Sequence, residues 1–450
     1  MKKQQGSQTI DIIGVGIGAF NLSLAALLQK SKAEYKFFDQ KKEFGWHKGM
    51  LLENAKLQVH FLKDLASCVD PSNPYTFLSY LVEQGRIYQF LNRKKSTISR
   101  YEFNHYFKWA AERIPGLHFG EKVIDVRYND GVFNVITEHK SFNSTHIVIG
   151  TGATPYIPDR FKECLNKSFF HNYEFKQRME TTNFSNKKIA IIGGGQSGAE
   201  VFDTIISSQN RPEKIIWASK RLNFQALEDS CFSNEFYTPH YVRYFYQLPN
   251  HVRDRKLGEQ HLTSDGIIQD FADDIYNKLY ELKYFHDKNI KFELIPNHTL
   301  TKVEKNNHGY VITLFDQDLE KAINCDVDII ILATGYRSKI PECLRNLLPE
   351  YSSFDMLPIN PDYSFSWAHD KTNKIFVQNG AKHTHGIADP NLSLAAWRNT
   401  IIINSLLNKP LYKTEMIQPI MGRTSLEISK KMSILSLEDN ELINTTVGNL

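Results

Sequence analysis

Two glycine motifs stand where an apolar run gives way to a helical pattern, and both have the spacing that cradles a dinucleotide. The first is Gly14-x-Gly16-x-x-Ala19, behind the run IDIIGV. Gly14 would permit the tight turn, Gly16 would let the backbone approach a pyrophosphate, and Ala19 would let the helix pack closely. The helix N-terminus then offers its free N–H groups to the phosphates. Asp39 ends the next strand, KFFD, where an acid accepts from a ribose hydroxyl. The second motif is Gly193-x-Gly195-x-x-Gly198, behind KKIAII. Its second strand ends in Ser219-Lys220-Arg221, with cations where an NAD site places a carboxylate, which favours the 2′-phosphate of NADP.

Two such units in one chain suggest one site for a bound flavin and another for a nicotinamide donor. Flavin disulfide reductases share that layout but need a redox cysteine pair. The five cysteines (Cys68, Cys164, Cys231, Cys325, Cys343) stand far apart, with no CxxC and no zinc spacing. The electrons must go elsewhere, and oxygen is the expected acceptor. No metal site is expected: His383 and His385 in HTHG lack a third ligand at helical or strand spacing, and they read as imidazoles lining a flavin pocket.

The elements that must position these residues form an α/β pattern of two Rossmann-like dinucleotide-binding domains with a smaller, mainly helical substrate domain. The chain of 450 residues is long enough for two or three packed units. Strands are expected at 36–39, 122–128, 133–137, 146–152, 187–192, 214–219, 328–335 and 375–380, and helices at 19–30, 197–208 and 391–407. An aromatic-rich segment over 43–115 interrupts the first unit. Residues 1–172 are expected to form the first part of the FAD-binding domain and 173–327 the NADPH-binding domain. Within the latter, a helical substrate-binding insertion spans about 223–290 and lies across the cleft. Residues 328–450 should return to the FAD domain and end in a weakly patterned, mobile tail. The aromatic run FYTPHYVRYFY (236–246) reads as the packed face of the helical unit.

A net charge of +4 with scattered basic residues argues against a nucleic-acid partner. The start MKKQQGSQTI lacks a signal-peptide apolar stretch, and no run is long and apolar enough to span a membrane. A cytoplasmic homo-oligomer is expected.

A third element narrows the chemistry. Asp328-x-x-x-Leu332-Ala333-Thr334-Gly335-Tyr336-x-x-x-x-Pro341 is a strand-to-loop fingerprint, and Gly150-Thr151-Gly152-x-x-Pro155 resembles its companion linker. With FGWHKGM (44–50), LQVHFLKDL (57–65), DPSNPYTFLSYL (70–81), GGGQSGAE (193–200), TSDGI (263–267) and THGIADPNLSLAAWR (384–398), the chain resembles the flavin-dependent lysine N6- and ornithine N5-hydroxylases of siderophore biosynthesis. It looks closest to the lysine enzymes. One departure is Ala19, where that family usually has proline.

The resemblance implies that NADPH reduces FAD and that O₂ added at flavin C4a supplies the oxygen taken by the substrate amine nitrogen. It places Trp46, His47, Met50, Gln58 and Ser393 at the flavin, with Gly14, Gly16, Ala19 and Asp39. Gln196 and Ser197 would follow the NADP pyrophosphate and ribose, and Lys220 the 2′-phosphate. Lys63 would pair with an amino-acid carboxylate, and Asn234 would contact both substrate and nicotinamide ribose. Ser264 completes the expected substrate set, and Gln58 and Asn234 are the candidates nearest the chemistry. L-lysine is the expected substrate, with ornithine, putrescine, cadaverine or histamine as alternatives. A carbon- or sulfur-oxygenating flavoprotein and a non-enzymatic redox sensor are the more distant readings.

Overall fold

The computed structural model describes residues 9–95, 97–285, 291–414 and 419–422. The tail expected to be mobile falls largely on 423–450, outside those residues, as do residues 1–8.

The run at 10–15 becomes β1 (Ile10–Val15), covered on both faces apart from Asp11, which is why it reads as unbroken apolar sequence and not as an alternation. β1 lies inside a sheet with β2 (Tyr35–Asp39), β3 (Leu117–Phe119), β4 (Val123–Asn129), β5 (Val132–Thr137) and β6 (Ser141–Ile149). The order is β3-β2-β1-β6-β5-β4. β1 runs parallel to β2 and β6, while β4 and β5 return antiparallel. The far half of β6 also pairs in parallel with β17 (Ile375–Val377). Helices α1 (Ala19–Leu28) and α12 (Ala395–Leu407) pack together in this core. The aromatic segment supplies α2 (Phe77–Glu83), α3 (Ile87–Asn92) and α4 (Arg100–Ala111). These bury Phe77, Phe103, Tyr106 and Phe107 against one another.

The second sheet is parallel throughout, in the order β11-β10-β9-β15-β8. Its strands are β8 (Phe169–His171), β9 (Lys188–Ile192), β10 (Lys214–Ala218), β11 (Lys291–Ile295) and β15 (Ile329–Leu332). This corrects the expected boundaries. The strand at 328–335 does not return the chain to the first unit, because β15 sits between β9 and β8. β8 likewise places residues before 173 in the second sheet. The return comes with β17. A short apolar strand buried on both faces suits the interior of either sheet, so its sequence could not say which one it enters.

Between the sheets the chain crosses twice, and the crossings pair as a ribbon of β7 (Thr154–Pro155) and β16 (Tyr336–Arg337). A meander of β12 (His298–Asn306), β13 (Gly309–Asp316) and β14 (Lys321–Val327) flanks the second sheet, with α5 (Phe175–Thr181) and α6 (Gln196–Ile206) on its other side.

The insertion is irregular until a 3-10 helix at Ser233–Tyr237, then forms α7 (Pro239–Tyr246), α8 (Asn250–Glu259), α9 (His261–Asp265) and α10 (Gln269–Tyr284). Thr238 caps α7 by accepting from Tyr241 N, and proline at the first turn stops it from starting earlier. Tyr237 and Val242 belong to the first core. Ile267, Phe271, Ile275 and Leu279 join the second, with Phe202 and Trp217. The insertion therefore straps the two Rossmann units together. Near the C-terminus, α11 (Lys382–His385) packs on α7.

Candidate active site

A single cleft of about 2130 Å³ runs from the first glycine motif to the second. That is larger than the roughly 300–1,000 Å³ of an ordinary ligand pocket and suits two dinucleotides end to end. Both glycine-led helices open into it without a side-chain cap: Gly18 precedes α1 and Gly195 precedes α6, and neither helix has a capping hydrogen bond. Their first-turn N–H groups are thus left for another acceptor, which a pyrophosphate supplies.

In the first half of the cleft, Gly16, Ala19, Asp39, Trp46, His47, Met50 and Gln58 all line the wall. Gly14 does not, and its role differs from the expected one. A Cβ at Gly14 would lie 1.9 Å from the Phe37 ring, so that glycine lets β1 pack on β2. The turn itself belongs to Gly16, at φ +90° and with the Gly150 carbonyl 2.6 Å from where a Cβ would be. Asp39 also does more than face a ribose. Its Oδ2 accepts from Ile17 N and its Oδ1 from Lys41 N, both at 2.8 Å, so it fixes the glycine loop while keeping lone pairs for a ligand. Trp46 is held by Asn104, which accepts from its backbone N–H at 2.9 Å, and by edge contacts to Phe103 and Phe107. His47 sits among protein atoms that push its pKa down to about 4, with Arg100 adding to the effect. Its ring opens on the cleft, so solvent tempers that shift.

In the second half, Gly193, Gly195, Gln196, Ser197, Lys220 and Arg221 line the wall. Gly198 instead lets α6 approach β9 and β10: a Cβ there would meet the Gly193 carbonyl at 2.1 Å. Arg221 donates to the Asp265 carbonyl at 2.6 Å, and Lys220 is exposed beside it. Ser264 lies on this wall too, next to Asp265, whose carboxylate accepts its hydroxyl at 3.1 Å. It was expected with the substrate. The structure places it beside Arg221, because α9 carries it to the mouth of the second glycine motif.

Three expected residues stand outside the cleft wall and form a cluster of their own. Lys63 Nζ donates to Ser393 Oγ at 3.2 Å, and Asn234 Nδ2 donates to Asp229 Oδ1 at 2.7 Å. Asp229 is within electrostatic reach of Lys63, whose pKa is lowered by burial and partly restored by Cys68 and Asp229. Ser393, expected at the flavin, is buried next to the wall residue Leu392 and faces Lys63 instead. The histidines of HTHG are also displaced from expectation. His385 is buried, stacked on Tyr363 at 4.0 Å, with its pKa pushed down to about 3. His383 meets the Leu357 carbonyl at 2.8 Å, and neither histidine lines the cleft.

Several residues at the site carried no signal of their own in the sequence. Arg398 and Asp389 form a buried pair at 3.2 Å behind the first half, and Gln378 receives Arg398 at 3.3 Å. Arg100 and Glu200 form a bidentate pair, both contacts at 2.8 Å, between the two units. Glu200 and Arg398 each end a run quoted above, yet nothing in either run marks a charge as buried.

Two Rossmann sheets, one mixed and one parallel, sharing one cleft, with a cation pair after the second strand of the second unit and all five cysteines free, define a flavoprotein that draws electrons from a nicotinamide nucleotide. Comparison with known proteins makes this specific. Residues 8–338 match the family described as L-lysine 6-monooxygenase/L-ornithine 5-monooxygenase. The chain is 38% identical over 418 residues to the L-lysine N6-monooxygenase of Escherichia coli, covering 91% of this chain and 97% of that one. A solved structure of the cadaverine monooxygenase of desferrioxamine biosynthesis from Erwinia amylovora, bound to FAD, superposes with a TM-score of 0.85 at 27% identity. That match covers 93% of this chain and 99% of the other. The ornithine N-hydroxylase of Kutzneria sp. 744, with reduced FAD, NADP⁺ and L-ornithine, gives 0.81 at 26% identity, covering 89% and 99%. The chain belongs to this family of flavin-dependent amine N-monooxygenases, and its cofactors are FAD and NADPH. Among the described residues no helix is long and apolar enough to cross a membrane.

Proposed function

We propose that the chain hydroxylates the side-chain amine of L-lysine, in siderophore biosynthesis. The observation that carries the substrate is Lys63. It is a half-buried ammonium held by a hydroxyl, with no carboxylate among the described residues close enough to pair with it. A cation taken partly out of water calls for an anion, and the carboxylate of an amino acid would provide one. Asn234, its amide fixed by Asp229, would face the same ligand. The similarity to the Escherichia coli lysine enzyme supports this choice over ornithine.

When bound, FAD would supply the redox chemistry that couples oxidation of NADPH to transfer of one atom of O₂ to the amine nitrogen, the other leaving as water. The protein's residues bind, orient and tune. In our reading the uncapped ends of α1 and α6 hold the two pyrophosphates, Asp39 a ribose, and Lys220 with Arg221 the 2′-phosphate. Trp46, Met50 and Gln58 border the flavin. The amine must lose its proton before it can attack, because an ammonium has no lone pair. A partly desolvated pocket disfavours positive charge and so would favour the neutral amine.

Asp229 favours a second reading, because an acid within electrostatic reach of Lys63, though not paired with it, could receive the far ammonium of a diamine such as putrescine or cadaverine. A panel of L-lysine, L-ornithine, putrescine, cadaverine and histamine, assayed for hydroxylamine product, separates the two. L-lysine should give the highest kcat/KM. Efficient turnover of the diamines with L-lysine ignored would overturn the amino-acid reading.

A further inference from the structure

Among the contacts that join the two Rossmann units, which include Met50, Leu52 and Ala55 packed into the second core, is one buried ion pair. Arg100 opens α4 in the first unit and Glu200 lies on α6 in the second, with side-chain exposures of 13% and 2%. Each guanidinium nitrogen meets one carboxylate oxygen at 2.8 Å, the paired geometry that fixes direction as well as distance. Burial raises the Glu200 pKa, and Arg100 and Gln196 oppose that rise. Such a pair adds little to stability over apolar residues of the same shape, so its presence between the two units asks for another reason.

Each partner is one link from a nucleotide site. One turn before Glu200 on the same face of α6 stands Gln196, the first residue of that helix, whose Nε2 donates to Glu200 Oε1 at 2.9 Å. Its Oε1 accepts from Ile268 N at 2.9 Å, so both ends of the amide are committed and its orientation is set. On the other side, Arg100 Nη1 reaches the Met50 carbonyl at 3.4 Å, and Arg100 N donates to the Ala55 carbonyl at 2.9 Å. Gln196 lines the nicotinamide half of the cleft and Met50 the flavin half. Tyr336, on the same wall, lies within electrostatic reach of both charges.

We propose that Glu200 is a positioning residue: through Arg100 and Gln196 it locks the NADPH unit onto the flavin loop at 46–50, so that hydride transfer to the flavin depends on this pair. Neither Arg100 nor Glu200 lines the cleft, and the effect runs through the residues they hold. Rotation of the second unit would leave Glu200 buried without its partner, so the pair adds a directional constraint to the apolar packing between the units.

The test follows anaerobic flavin reduction by NADPH in the FAD-loaded full chain, with no amine present, so it is independent of which amine is the substrate. Reoxidation by O₂ after chemical reduction with dithionite serves as the reference. Glu200→Gln, which keeps the shape and removes the charge, should slow reduction by NADPH about 10-fold or more, with FAD content and the reoxidation rate within about twofold of the parent. Arg100→Met should do the same, and the double variant should be no slower than the slower single variant. Arg100→Lys, which keeps the charge and loses the paired geometry, should move the same rate by less, and it decides the matter if Glu200→Gln fails to hold FAD. Unchanged reduction by NADPH, an equal fall in both half-reactions, or additive effects in the double variant would each overturn the proposal.

Discussion

Lys63 and Asp39 show how a single side chain can be read correctly by type and only partly by role. Lys63 was legible as a cation inside the matched run LQVHFLKDL, and its half-burial against Ser393 is what gives it a demand for an anion. If a substrate carboxylate meets that demand, Lys63→Ala leaves the carboxylate poorly compensated, at about 2–5 kcal/mol, or roughly 30-fold and more in kcat/KM for L-lysine. Steady-state kinetics should show the loss mainly as a raised KM, while flavin reduction by NADPH stays near the parent rate. An unchanged KM for L-lysine would mean that Lys63 serves another partner, such as Asp229. Asp39, by contrast, reads as a ribose acceptor from its place alone. Its grip on Ile17 N and Lys41 N could not be read, because a motif gives the type and place of a residue and not the loop that folds back onto it.

Elements were legible wherever periodicity and punctuation agreed. The strand-turn-helix starts at β1–α1 and β9–α6 fall where expected, because unbroken apolar runs followed by glycine have few other uses in a parallel sheet. The sheet to which β15 belongs was not legible, since strand order is decided by neighbours distant in sequence. The pairing does explain Gly193. At φ +137° it packs where a Cβ would lie 2.1 Å from the Ala333 carbonyl just after β15. Gly193→Ala therefore forces two backbone segments apart, at roughly 1–3 kcal/mol of local strain. It should raise the KM for NADPH by an order of magnitude while bound FAD, in the other unit, is retained; loss of both cofactors together would contradict that separation. At the end of β10, Lys220 and Arg221 are expected to pair with the 2′-phosphate. A charge-assisted contact is worth roughly 1.5–3 kcal/mol, about 10- to 150-fold. Replacing both by alanine should collapse the preference for NADPH over NADH by that factor, and a ratio left unchanged would move the phosphate elsewhere.

For the molecule as a whole, the buried imidazoles set its response to acid. His171, buried at the crossing between the units, is held down at about 4, with the Gly335 carbonyl at 3.1 Å from its Nε2. His385, stacked on Tyr363 between α7 and α12, is held at about 3. An unfolded histidine takes its proton near 6.5. Below that pH the unfolded chain therefore binds more protons than the folded one, so stability rises with pH and is lost on acidification from about 6.5 towards the folded values. Each group costs up to roughly 1.4 kcal/mol per pH unit over that window. The buried carboxyls of Asp64 and Glu200, raised by burial, act in the opposite sense. The melting temperature should thus be flat from pH 8 to 7 and fall by several degrees between pH 6.5 and 5.5. FAD should be released in the same transition, since the cleft that would hold it is built from both folded units. His385→Phe keeps the stack on Tyr363 and removes the titrating group, so its melting temperature should fall less over the same interval. A variant that tracked the parent degree for degree would assign the acid sensitivity to other groups.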